Sequence, residues 1–207
     1  MIIIIIFIVV IGAYTLINWW SMRGVTTPSY QVITKDGAFE TRRYAPMVIA
    51  TVTVTGSRGD AITQGFRQLA SYIFGNNQGS RKNIPMTSPV MQTPAEKIAM
   101  TSPVMQQKHE NQWKIQFVMP SNYSLSTLPK PNNPNIHLRD INAHTALVLR
   151  FSGRANNLRL DQLKQRFIKY ANTHQIKLNS TLRYAFYNPP WTLPFMRRNE
   201  IIATLAD

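Results

Sequence analysis

The chain has 207 residues, enough for one domain with a sizeable core plus an appendage. Lysine and arginine total 23 against nine acids, a net charge of +14. So basic a chain invites nucleic acid, anionic lipid or an acidic small ligand as its partner. No cysteine is present, which excludes disulfides and thiolate metal sites.

Residues 2–17 carry no charge, and only Gly12, Ala13, Tyr14 and Thr15 interrupt the apolar run. Trp19 and Trp20 follow, then Arg23. The run is at the lower limit for a membrane-spanning helix, and paired tryptophans suit the lipid–water interface. A cleaved signal peptide is the rival, but neither a basic start nor a small-x-small cleavage site is evident. The reading is therefore an uncleaved anchor over residues 1–20, a linker over 21–29 and a folded domain over 30–207. Arg23, Lys35, Arg42 and Arg43 follow the span and favour a cytoplasmic domain by charge bias. An apolar leader on a small domain, by contrast, usually serves export to the periplasm, so the two arguments point to opposite sides.

Beyond the linker, 30–34 and 39–44 read as strands joined by the hairpin signal Lys35-Asp-Gly37. A third strand spans 47–55, rich in β-branched residues and closed by Gly56. A helix is predicted from about residue 58 or 60 to 74, with Ile62, Phe66, Leu69 and Ile73 on one stripe and Gly75 as its stop.

Next comes a block stated twice. Ile84-Pro-Met-Thr-Ser-Pro-Val-Met91 and Ile98-Ala-Met-Thr-Ser-Pro-Val-Met105 agree at seven of eight positions at a spacing of 14. Pro89 and Pro103 cannot donate to a ladder and belong at a sheet edge or a strand end. The block is expected to form a hairpin or lid at the rim of a β structure. Its four methionines suggest a thioether metal site or an apolar cleft for a flat ligand. Against a single-copy metal site, Met86 and Met91 point to opposite faces of an extended strand. The plain structural alternative makes one copy core and the other a flap.

Strands are predicted at 113–119, 136–141 and 145–151, the last closed by Gly153. A second amphipathic helix covers 157–174, with Leu160, Leu163, Phe167 and Tyr170 on one face. Strands at 182–187 and 200–205 end the chain. Gly56 and Gly153, 97 residues apart, each close a strand before a helix, so the chain reads as a duplicated strand–helix–strands unit. The expected fold is α+β: a curved sheet or open barrel with helices outside, leaving the opposite face or an edge for a ligand.

No catalytic constellation is present: there is no nucleophile elbow, Walker loop or zincin helix. His109, His137, His144 and His174 are scattered and read as surface or loop residues. Glu40 and Glu200 each stand beside arginines, in Glu40-Thr-Arg-Arg43 and Arg197-Arg-Asn-Glu200, and read as two structural ion clusters at strand ends. Basic residues are spread rather than clustered, with no recognition helix, so nucleic acid is not expected. A lipid-facing basic surface explains the charge equally well.

From about residue 30 to 205 the chain resembles the SOUL haem-binding family in its bacterial form. The matching pieces are Phe39-Glu-Thr-Arg-Arg-Tyr-Ala-Pro46, Gly65-Phe-Arg-Gln-Leu-Ala-Ser-Tyr-Ile-Phe-Gly75 and the doubled Ile-x-Met-Thr-Ser-Pro-Val. Phe117-Val-Met-Pro120, Tyr187-Asn-Pro-Pro-Trp191 and Arg197-Arg-Asn-Glu200 follow in the same order. The resemblance implies a distorted antiparallel barrel of two pseudo-symmetric halves, each with one long helix. The fold is similar to effector-binding domains of some bacterial regulators, which are not enzymes. Where some relatives have a proposed haem-ligating histidine, this chain has Arg43.

The resemblance thus implies a non-catalytic binder of haem or a related porphyrin, and the apolar leader adds the expectation of a membrane anchor. Met86, Val90, Met91, Met100, Val104 and Met105 are the expected apolar floor. Arg42, Arg43, Arg81 and Lys82 are the expected partners of the propionates. The alternative is a scaffold or lipid-surface module with no tetrapyrrole.

Overall fold

The computed structural model describes residues 27–78, 83–94, 112–189 and 191–206. The apolar leader, the second copy of the repeat, and Arg81 and Lys82 lie outside the described residues. In chain order the elements are β1 (Tyr30–Asp36), β2 (Phe39–Tyr44), β3 (Met47–Thr55), α1 (Arg58–Ile73), β4 (Val90–Pro94) and β5 (Gln112–Val118). Then come β6 (His137–Ile141), β7 (His144–Phe151), α2 (Asn157–Thr173), β8 (Arg183–Phe186), a 3₁₀ turn (Pro194–Met196) and β9 (Asn199–Thr204). Among these described elements no helix is long and apolar enough to cross a membrane.

The nine strands form one antiparallel sheet in the order β1-β2-β7-β9-β8-β4-β5-β3-β6. The β4–β8 seam divides it into two groups of like order, β4-β5-β3-β6 and β8-β9-β7-β2, with β1 added outside β2. Each group holds a strand–helix–strand–strand run, β3-α1-β4-β5 in one and β7-α2-β8-β9 in the other. The leading strands change sides: β2 precedes β3 but pairs with β7, and β6 precedes β7 but pairs with β3. This exchange ties the two halves of the duplicated sequence into one sheet.

Sequence patterning explains the two layers. Ser57 caps α1 by accepting from the Asp60 amide, and Asn156 caps α2 through the Arg159 amide at 2.9 Å. Ala61, Gly65, Leu69, Tyr72 and Ile73 of α1 are buried with Val52, Ile115 and Phe117. Leu160, Phe167 and Ala171 of α2 are buried with Leu147, Leu149 and Ile201. Of the expected α1 stripe, Leu69 and Ile73 are buried and Ile62 packs against the same core, while Phe66 is exposed and Ala61 and Gly65 are buried beside them. Helix and sheet approach so closely that bulk there would not fit.

The repeat differs from expectation in place. Its first copy supplies Val90 and Met91 to β4, a central strand between β5 and β8, and not a rim lid. Pro89 stands one residue before the strand and Pro94 ends it, so neither removes an internal ladder donor.

Two glycines of α1 test this packing with opposite signs. A Cβ at Gly65 would lie 2.4 Å from Ile115 Cγ1, whereas one at Gly59 meets nothing within 4 Å. Gly65→Ala is expected to destabilise by about 1–3 kcal/mol through overpacking. Gly59→Ala is expected to stabilise by about 0.4–1 kcal/mol by reducing unfolded-state entropy. Urea denaturation of both variants checks the contrast.

Candidate functional site on the inner face

Strand alternation sends half of every strand away from the helices. Tyr44, Ile49, Met91, Val118, Ala146, Val148, Ala185, Tyr187 and Ile202 form a third cluster on that face. There the sheet curls into a half-barrel. Tyr44, Met47, Ile49, Met91, Gln116, Ile141, His144, Arg183 and Ile202 line a single cavity, so every strand but β1 contributes. Its volume is about 20 Å³, room for about one water molecule.

One end of this face is filled by charge. Arg42 of β2 is fully buried and reaches past β7 to Glu200 of β9, also fully buried. Its Nη1 and Nη2 donate to Glu200 Oε2 and Oε1, both at 3.0 Å, and its Nε donates to Glu40 Oε2 at 2.8 Å. Tyr187 Oη donates to Glu200 at 2.6 Å, and Arg198 Nη2 at 2.9 Å. Arg150 Nη1 reaches Glu40 at 3.3 Å. The two acidic stretches are therefore one buried network in the sheet, not two clusters at strand ends. Register, which joins residues 158 apart in sequence, brings them together.

The electrostatics follow. Burial alone would raise the Glu40 carboxyl, but bonds and charge from Arg42 and Arg150 hold it below its usual value. Arg42 stays protonated despite burial because Glu200 binds its charged form. Burial pushes the Tyr44 hydroxyl up to about 12 and the Tyr187 hydroxyl further still.

The cavity end is short of acid. Arg183 Nη2 donates to Thr204 Oγ1 at 2.8 Å, while its buried Nε has no hydrogen-bond partner. No carboxylate pairs with Arg183 among the described residues. Burial and the nearby charge of Arg139 both lower its affinity for the proton, only partly offset by Tyr44. His144 stacks on Tyr44 with ring centroids 5.4 Å apart, and burial lowers its pKa, which favours neutral imidazole. The cavity therefore joins a soft apolar floor of Met47, Ile49, Met91, Ile141 and Ile202 to a cation with an idle donor.

The sequence-predicted residues are divided by this geometry. Met91 is buried in the inner cluster, whereas Met86 and Val90 pack on the α1 side. The expected opposition of Met86 and Met91 holds, and no single face collects all three. Arg42 is spent on Glu40, Glu200 and Tyr44, so its guanidinium is not open to a ligand's carboxylate. Arg43 is exposed on β2. Arg81, Lys82, Met100, Val104 and Met105 lie outside the described residues. His137 and His174 are exposed as expected, but His144 is half-buried in the cavity. Sequence reading missed Arg183, His144, Tyr44 and Met47. Alternation gives their face, but only strand order gives their meeting.

A family model described as SOUL heme-binding protein matches residues 25–204. The chain belongs to that family. No curated sequence matches the chain significantly. Among solved structures, the C-terminal domain of EcmrR is similar at a TM-score of 0.58 and 14% identity, over 86% of this chain and 98% of that one. A protein from Listeria innocua described as a hydrolase is similar at a TM-score of 0.53 and 7% identity, over 84% and 94%. EcmrR in a DNA complex gives 0.57 at 12%, over 95% of this chain and 63% of that one. At such identities these likenesses show the SOUL chain's fold alone.

Two measurements test the inner face. Glu200→Ala leaves Arg42 buried without its bidentate partner and is expected to cost about 3–5 kcal/mol in urea denaturation. Tyr44 and Tyr72 have hydroxyls raised from 10.0 to about 12. The folded state holds their protons where the unfolded state has lost them, so their contribution is complete below pH 10 and lost as pH rises toward about 12. Alkaline titration followed by phenolate absorbance should show Tyr44 and Tyr72 ionising only as the protein unfolds.

Proposed function

We propose that this protein is a non-catalytic binder of haem or a related tetrapyrrole, held at a membrane by its N-terminal segment. The observation that supports it best is the inner-face cavity, which sets thioethers and aliphatic side chains beside an unpaired buried donor in a SOUL-family chain. A porphyrin is a flat apolar plate with carboxylates, and this donor set suits both parts.

The chemistry fits better than the room. A cavity of about 20 Å³ admits water and not a macrocycle. Binding would require the half-barrel to open by far more than a shift of Met47 or Met91, the flexible thioethers that line the cavity. Arg183 would then receive a carboxylate, with Arg81 and Lys82 as further cations; Arg43, between Arg42 and Tyr44 on β2, faces away from the cavity. His144 and the methionines Met47 and Met91 are the side chains that would offer iron a ligand. Met86 and Val90, on the α1 side of the sheet, would take no part, while Met100, Val104 and Met105 are proposed as further apolar surface. Haem, when bound, would supply an iron centre with axial positions to fill.

A non-catalytic role is supported by the state of the acids. Glu40 and Glu200 are both ion-paired, which leaves neither as a free base. The membrane part rests on the uncharged run of residues 2–17 and on Trp19 and Trp20.

Titration of the detergent-solubilised full chain with haemin and with metal-free protoporphyrin tests the reading. Both are expected to bind, and Arg183→Leu should weaken both by roughly 10–100-fold, the worth of a charge-assisted bond. His144→Ala should alter only the haemin spectrum if the imidazole meets iron. Absence of saturable binding to either compound would remove the tetrapyrrole reading and favour the scaffold.

A further inference from the structure

The turn between β8 and β9 shows its apolar residues to solvent. Phe195 is 73% exposed, Trp191 62%, Met196 40% and Leu193 39%. This is not looseness. Thr192 within the turn is buried, and its amide donates to the Pro189 carbonyl. The Met196 amide donates to Leu193 at 3.0 Å, and Arg197 Nε donates to the Thr192 carbonyl at 2.8 Å. The Gly153 amide fastens the turn to the start of α2 through the Pro194 carbonyl at 2.8 Å. Backbone and polar groups are satisfied inward, and the large apolar side chains are aimed outward.

We propose that this tip is a membrane-docking element that inserts Trp191, Phe195 and Met196 into the interface of an anionic bilayer. Tryptophan and phenylalanine flanked by arginines suit the boundary between headgroups and acyl chains. The surrounding charge is complementary. Of the ten lysines and arginines from Arg150 to Glu200, Arg150 and Arg198 are spent on Glu40 and Glu200 and Arg183 lies in the cavity, which leaves seven against Asp161. Arg154 and Arg159, both exposed, lie on either side of the α2 start to which the turn is fastened. The entry of the chain agrees with this. Tyr30, just after the first described residue, accepts a hydrogen bond from Arg198 Nη2 at 3.1 Å, two residues beyond Met196. The start of the described chain at Tyr30 is therefore tied by a side-chain bond to the base of the same turn. The docking itself does not use the tetrapyrrole reading; the orientation rests on the N-terminal anchor.

Because the chain has no cysteine, a single label can be placed without background. The full-length protein carrying Phe195→Cys is labelled with an environment-sensitive dye and reconstituted into vesicles of neutral lipid, with and without a quarter of anionic lipid. Gln64→Cys, exposed on α1, is the control. The expected result is several-fold protection of the Phe195 label from aqueous iodide, and its quenching by a lipid-borne quencher. The effect should be larger with anionic lipid, and the Gln64 label should remain accessible. Flotation of the vesicles reports the anchor separately from the tip. A floating protein whose two labels are equally accessible to iodide overturns the docking and leaves the anchor standing. Failure to float overturns both. A Phe195 label already protected before vesicles are added overturns the docking too, because the tip is then covered by protein.

Discussion

The structure depends on one ion pair placed where a sheet would ordinarily put aliphatic side chains. Arg42 and Glu200 lie on strands separated by β7, and the arginine can cross because the residue opposite it on β7 is Ala146. Two buried charges carry a large desolvation cost, offset here by near-complete hydrogen bonding: Arg42 meets Glu40, Glu200 and Tyr44, and Glu200 also meets Tyr187 and Arg198. Such a network tolerates only one register, because a slip by one residue would turn each of these groups to the helix face. Specificity of pairing, more than net stability, is what the cluster contributes to β2, β7 and β9.

That fixed register also makes the rest of the inner face. With Arg42 and Glu40 set, Tyr44 follows on the same side, covers the cavity and stacks on His144. Strand exchange between the halves brings β3 and β6 round to the same space, so Ile49 and Ile141 meet residues from β8 and β9. The acid-rich end and the acid-free end of one face are thus consequences of a single alignment. Both available carboxylates are consumed at one end, which leaves Arg183 without one at the other.

Much of the architecture was legible in the sequence. Apolar periodicity places both helices within a residue or so of their ends, helped at the first by the stop at Gly75, because period is a local property. The internal duplication was legible for the same reason. Pairing across the chain was not. Nothing in Glu40-Thr-Arg-Arg43 or Arg197-Arg-Asn-Glu200 says that the two stretches meet, and each alone looks like a surface ion pair. Likewise a proline at the end of a central strand and a proline on an edge strand read alike, so the Met-containing repeat was assigned to the rim when its first copy forms the seam. His144 looked isolated because its companions, Tyr44 and Arg183, lie on other strands.

The helix stripes show a subtler limit. Hydrophobicity placed Ile62, Phe66, Leu69 and Ile73 on the buried face of α1; Leu69 and Ile73 are buried there, but Ala61 and Gly65 are buried too and Phe66 is turned outward. Close packing explains it: Ile115 stands so near the helix axis that only a residue without Cβ fits opposite. Phe66 settles for an edge contact with Phe117, centroids 5.4 Å apart. Steric room is a property of the pair of surfaces and not of either sequence segment. The same reasoning applies to the turn after β8. Its prolines mark a rigid turn, and two inward bonds, from Arg197 to Thr192 and from Gly153 to Pro194, fix the backbone so that its Trp, Phe and Met side chains face solvent. Helix packing and the exposed tip thus come from one rule: where backbone is pinned by satisfied polar groups, the side chains take the direction left to them.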